Sequence, residues 1–148
     1  ATRPWQHVLE PLSGYLWLGA RIHQAEVSQD KEVTMRLASA FNFGPDLSAN
    51  RTVAQLVEEL LRHWPGRWED RSPANAPHEA QALNLSIDKA HHLLGWSPTW
   101  SFNEAIARTA TWYRDTLADP TTQAAKLTLA QISDYTEAAR RAGAMWVA

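Results

Sequence analysis

The sequence predicts an α/β chain rich in helix, and three observations carry that prediction. Val53, Leu56, Val57, Leu60 and Leu61 repeat at helical spacing behind a Thr52–Gln55 capping pair. A second pair, Ser101 and Glu104, opens a helical pattern that runs to about 117. Residues 38–43, with Phe41 and Phe43, read as a strand that Gly44-Pro45 ends.

The chain opens on Arg3-Pro4-Trp5-Gln6-His7-Val8-Leu9-Glu10-Pro11-Leu12-Ser13-Gly14-Tyr15-Leu16. Trp5 and His7 flank Gln6, so a short extended segment puts both rings on one face. A helix follows over 10–25. Leu9, Leu12, Leu16 and Ala20 mark its inner face, widened by Tyr15, Leu18 and Ile22. Pro11 fits the first turn, where a missing N–H does no harm. Residues 24–32 read as a polar loop or frayed end, and 46–51 as a second polar loop.

The helix behind Thr52 ends before Pro65-Gly66, and 67–70 reads as a short strand. A loop with Pro73 and Pro77 leads to an extended stretch at 82–85. Ser86 then caps a short helix over 87–94. Gly95 stands where a left-handed C-terminal cap belongs, with Trp96 placed to pack back on Leu93 or Ala90. In the helix after Ser101, Phe102, Ile106, Thr109, Ala110 and Tyr113 line the inner face. Asp119-Pro120 restarts the chain as N-cap and first-turn proline. The last helix is expected over 121–142, with Leu129, Ile132, Tyr135 and Ala139 as a thin apolar stripe and Gly143 as its stop. This divides the chain into a body, 1–118, and an appended helix, 119–148.

Composition narrows the function classes. The 148 residues carry a net charge of -2, which gives no general attraction to nucleic acid or acidic lipid. With no cysteine there are no disulfides and no thiolate metal sites, as suits a cytoplasmic protein. No apolar run approaches the ~20 residues that span a bilayer, and the opening residues lack the apolar core of a signal peptide. The chain starts without methionine and inside a motif, so it reads as the C-terminal portion of a longer protein. Six histidines show no metal-ligand spacing, and the adjacent His91 and His92 point to different sides of a helix. Eight tryptophans exceed what so small a core comfortably buries, so some are expected to face a missing neighbour.

Residue chemistry alone leaves the candidate site residues open. Arg3 offers a planar fork of donors for phosphate or carboxylate, or pairs with Glu10 or Glu26. His7 serves a ligand or sits in the core bonded to a carbonyl. Asn42 orients a strand end near a ligand or satisfies loop backbone. His78 and Glu79 are binding residues or ordinary polar loop residues.

The opening run, Phe41-Asn42-Phe43-Gly44-Pro45, His78-Glu79-Ala80 and Leu94-Gly95-Trp96-Ser97-Pro98-Thr99-Trp100 together resemble a known family over roughly residues 1–117. It is the nucleotide-sugar dehydratases and epimerases of the extended short-chain dehydrogenase/reductases, most closely the CDP-glucose 4,6-dehydratase branch. The resemblance implies that 1–118 is the substrate-binding lobe, without the N-terminal Rossmann core. It places Arg3 at an arginine that contacts the diphosphate or its ribose, and His78 and Glu79 where the ribose is reached. Asn42 and His7 join them as substrate-binding candidates. It further implies that 38–43 belongs to a nucleotide-binding sheet whose other strands lie outside this chain.

A whole enzyme of this kind uses NAD to turn CDP-glucose into CDP-4-keto-6-deoxyglucose. It needs a glycine-rich turn for the dinucleotide and a Y-x-x-x-K pair for proton transfer. The six glycines never form G-x-x-G-x-x-G, and the fourth residues after Tyr15, Tyr113 and Tyr135 are Gly19, Leu117 and Ala139. The expected partners are therefore CDP-glucose or a similar nucleotide sugar and a Rossmann lobe in cis or in trans, with a homodimer as a further option. No catalysis, NAD or metal is expected on this chain alone. The alternative is a non-catalytic helical interaction module, or subunit, derived from that lobe.

Overall fold

The computed structural model describes residues 2–71, 83–119 and 123–147. Their elements, in chain order, are β1 (Thr2–Pro4), α1 (Leu9–Val27), α2 (Lys31–Leu37), a 3-10 turn (Leu47–Ala49), β2 (Asn50–Thr52), α3 (Val53–His63), α4 (Asp88–Leu94), α5 (Phe102–Ala118), α6 (Gln123–Arg141) and a final 3-10 turn (Met145–Val147). The strands form one antiparallel ribbon, with Arg3 opposite Arg51 and Pro4 opposite Asn50. None of these helices is long and apolar enough to cross a membrane.

Both capping boxes form. Thr52 and Ser101 each accept the backbone N–H three residues on, and Gln55 and Glu104 reach back to the cap. Gly95 takes the left-handed conformation at φ 62, its N–H meeting the His91 carbonyl while Trp96 bonds back to Ala90. Gly143, at φ 73, ends α6 in the same way.

Four sequence expectations are corrected. Of residues 24–32, expected as a polar loop or frayed end, 24–27 complete α1 and 31–32 open α2, because the Asp30 side chain caps the Val33 N–H. Residues 46–51 are a 3-10 turn running into β2, because the extended Thr52 cap continues backward into pairing with β1. Neither 38–43 nor 67–70 is a strand. A strand requires ladder partners, and around 38–43 side chains replace them. Lys89 Nζ donates to the Ala40 carbonyl at 2.9 Å, and Gln6 Nε2 donates to the Phe43 carbonyl at 3.1 Å. Residues 83–85 likewise carry no strand pairing, and Pro73, Pro77, Ala82, Pro120 and Thr121 lie outside the described residues.

The face that α1 buries also differs from the expected one. Glu10, Ser13, Gly14 and Ala25 are buried, with Trp17, Leu18 and Ile22 against the core. Leu12, Tyr15 and Leu16 are 43%, 59% and 77% exposed. Gly14 decides this, because the Phe43 ring occupies the space a Cβ would need. The same rotation leaves Ala20 outside. On α5 Tyr113 is exposed while Ala105 and Thr116 are buried, and on α6 Leu129 and Ile132 face out while Tyr135 and Ala139 are buried.

One cluster joins Leu37, Phe43, Ala90, Leu94 and Trp96; a second joins Ala49, Phe102 and Ile106, with Trp5, Leu56 and Leu60 against it. The tryptophans are better housed than their number suggests. Only Trp68 is classed as exposed, and the indole N–H groups of Trp5, Trp17, Trp96 and Trp112 donate to Arg51 O, Leu94 O, Ser13 Oγ and Thr128 Oγ1.

A buried carboxylate links these pieces. Glu10 is 0% exposed; its Oε1 accepts the Trp100 N–H at 2.7 Å. Its Oε2 accepts the Thr99 N–H at 2.9 Å and the Tyr135 hydroxyl at 2.7 Å. Ser13 Oγ donates to the Glu10 carbonyl, receives the Trp96 indole and lies 3.0 Å from the Tyr135 hydroxyl. Burial holds the Glu10 carboxyl above the usual carboxylate range, against the opposing pull of the Trp100 and Thr99 N–H groups. Burial and the nearby Glu10 charge likewise raise Tyr135.

Glu10→Gln leaves an NH₂ group facing at least one of these donors. It is expected to lower the unfolding free energy in urea by about 2 kcal/mol. Tyr135→Phe, which removes one donor to the carboxylate and the hydroxyl beside Ser13, should cost about 1 kcal/mol. Unchanged midpoints in both variants would show that the network does not hold the fold.

Candidate functional site

The β1/β2 ribbon carries the most distinctive charge arrangement in the described residues. Pro4 tolerates its place because a two-stranded ribbon has open edges. Residues directly opposite in an antiparallel pair put their side chains on one face, with Cβ atoms about 5 Å apart. Arg3 and Arg51 are such a pair. Both are half-buried. Arg3 Nη1 donates to the Thr2 carbonyl at 3.0 Å, and Arg51 Nη1 to the Asn50 carbonyl at 3.0 Å. The Arg51 guanidinium also lies over the Phe102 ring, 5.5 Å from its centroid. The sequence-based pairing of Arg3 with Glu10 does not form, since the Glu10 carboxylate is engaged by Thr99, Trp100 and Tyr135.

A cavity of about 570 Å³ lies beside the ribbon, lined by Asp46, Asn84, Ser86, Asp88, His91 and Ser97 among others. Asn50 Nδ2 donates to Asn84 Oδ1, tying β2 to this wall. Asn42 supports the same wall, its Nδ2 donating to the Ser86 carbonyl at 3.3 Å. Asn42 is exposed yet still satisfies loop backbone. Ser86 Oγ donates to Asp88 Oδ2 at 3.1 Å, and His91 Nδ1 lies 3.0 Å from Ser97 Oγ. The wall of this cavity offers hydroxyl, amide and carboxylate groups that can donate and accept hydrogen bonds.

His7 stands apart from this face. It is 5% exposed, packs edge-on against Trp100 at 4.9 Å, and accepts the Leu9 N–H at Nδ1. Trp5 instead joins the Ala49–Phe102–Ile106 cluster, so the two rings serve different contacts. Burial pushes the His7 imidazole below its ordinary value. A second cavity, of about 520 Å³, opens beside His7 between Trp112, Tyr113 and Gln131. His78 and Glu79 lie outside the described residues.

Arg51, Glu10 and Tyr135 are the residues that motif reading passes over. The only local signal for Arg51 was the extended entry that an N-cap at Thr52 demands. Nothing in spacing links Glu10 to Tyr135.

The glycines do not form a dinucleotide cradle. Gly14 packs on Phe43, Gly44 on Leu85 and Gly66 on Leu61, while Gly95 and Gly143 end helices. Gly19 lies within α1. Among the described residues the glycines thus serve packing and helix ends rather than a pyrophosphate-binding turn.

No protein-family profile matches the chain. It is 35% identical over 116 residues, 76% of its length, to CDP-glucose 4,6-dehydratase of Salmonella typhimurium (strain LT2). The chain spans 29% of that relative's length.

A lowered His7 pKa means that the folded state disfavours the imidazolium. Stability from the neutral ring is complete above pH 6.5 and is lost as pH falls through the lower folded value. Chemical melts between neutral pH and the acid limb should show this loss, and His7→Phe should flatten it. An identical slope in both proteins would remove His7 as the cause.

Proposed function

We propose that the chain is the nucleotide-sugar-binding, C-terminal part of a CDP-glucose 4,6-dehydratase-like enzyme. The single observation that carries this reading is the 35% identity to that enzyme over 116 residues. The ribbon agrees with it: Arg3 presents a guanidinium for the diphosphate, and charge-assisted bidentate bonds supply both affinity and orientation. Asp46 and Asp88 in the neighbouring cavity are acceptors for sugar hydroxyls, and Asn84 can donate or accept. Asn42 positions that wall through Ser86. His78 and Glu79 are proposed, on the resemblance, to reach the ribose. His7 contributes as a packed neutral ring near the start of α1.

The chain does not catalyse alone. A dinucleotide-binding lobe, in cis or in trans, supplies the NAD site and the proton-transfer pair that the dehydration of CDP-glucose requires. The substrate grip is this chain's share of the reaction.

Calorimetric titration of the chain with CDP-glucose tests the reading. Saturable binding is expected, weakened about tenfold or more in Arg3→Ala, since loss of a charged hydrogen-bond partner removes about 1.5–3 kcal/mol. Absence of binding at millimolar ligand, with the chain folded by circular dichroism, would overturn it.

A further inference from the structure

The cavity of about 520 Å³ beside His7 is walled by three elements: the link from β1 to α1, α5, and α6. It shares no lining residue with the cavity beside the ribbon. Hydrogen bonds hold α6 in place as one of its walls. The Trp112 indole donates to Thr128 Oγ1 at 3.0 Å, Gln131 Nε2 donates to the Arg108 carbonyl at 2.8 Å, and the Tyr135 hydroxyl donates to Glu10. A cavity with walls fixed in this way is formed before any ligand arrives, and its volume suits a small molecule.

The chemistry of the wall narrows the occupant. Among the described residues no Asp, Glu, Lys or Arg lines it, and burial keeps His7 neutral near neutral pH. An ionic guest would lose its hydration there without a counter-charge. Trp112 and Tyr113, set edge to face at 5.2 Å, offer aromatic surface instead, and Tyr113 is exposed. The polar groups of Trp112 and Gln131 are engaged as described, and the Thr109 hydroxyl donates to the Ala105 carbonyl. Gln6 differs. Its Nε2 donates to the Phe43 carbonyl at 3.1 Å, which fixes the orientation of the amide, while its Oε1 is buried and accepts no hydrogen bond. A buried carbonyl oxygen ordinarily has a donor.

We propose that this cavity is a second ligand site, for a neutral, flat heteroaromatic molecule that packs its ring on Trp112 and Tyr113 and gives an N–H to Gln6 Oε1. The site is independent of the nucleotide-sugar reading. It gives α6 a part in binding as well as in packing, because Thr128 and Gln131 belong to its wall.

Calorimetry of the 148-residue chain with indole, and with benzofuran as its counterpart carrying a ring oxygen in place of the N–H, tests the site. Indole is expected to bind saturably and about fivefold more tightly than benzofuran, the equivalent of one neutral hydrogen bond. Gln6→Met should bring indole down to the benzofuran level. Thr109→Phe, which puts a ring into the cavity, should abolish binding of both even if the methionine variant folds poorly. No saturable indole binding at millimolar ligand, equal affinity for the two probes, or unchanged indole affinity in folded Thr109→Phe overturns the site. CDP-glucose separates this site from the nucleotide-sugar reading. Saturating CDP-glucose should leave the indole affinity unchanged, and competition between them would overturn a separate site. Indole binding that Thr109→Phe abolishes, without any CDP-glucose binding, supports the site and removes the nucleotide-sugar reading.

Discussion

The buried carboxylate of Glu10 is the constraint around which the rest of the structure settles. A charge withdrawn from water is costly unless donors replace the solvent it loses, and here three do so from two separate parts of the chain. Thr99 and Trp100 bring the turn ahead of α5, and Tyr135 brings α6. With Glu10 in the first turn of α1, one side chain fixes the relative placement of three helices. Ser13 extends the arrangement to Trp96 and hence to the left-handed turn at Gly95. Aromatic edges complete it, as Trp100 meets both His7 and Tyr135 at 4.9 Å.

This anchoring positions the ribbon. The opening strand leads into α1 through Trp5, Gln6 and His7, and each is held by a different neighbour. Trp5 bonds the Arg51 carbonyl, Gln6 bonds the Phe43 carbonyl, and His7 packs on Trp100. The cationic pair therefore rests on a short segment tied at several points. Electrostatically the molecule separates its charges. The negative carboxylate is buried and saturated with donors, while the two guanidinium groups are only half-buried.

Around residue 43 the structure reaches a compromise. Side chains from Lys89 and Gln6 satisfy carbonyls that a sheet ladder would otherwise take. Phe43 still enters the core, against Gly14 and edge-on to Trp96 at 5.0 Å. Nearby, Leu12, Tyr15 and Leu16 remain in solvent. The apolar pattern of α1 is wider than the face that the described residues cover.

Local signals in the sequence determined most of the helices and their ends. Thr52 with Gln55, Ser101 with Glu104, and the glycines at 95 and 143 act through neighbours within a few residues, so they operate before any distant contact forms. The resemblance in the opening run pointed to Arg3, a residue of β1. Tertiary structure decided what depends on distant partners: which face of α1 turns inward, whether 38–43 becomes a strand, that Arg51 stands opposite Arg3, and that Tyr135 completes Glu10. Register and burial are properties of pairs of segments, and the spacing within one segment carries no information about the other.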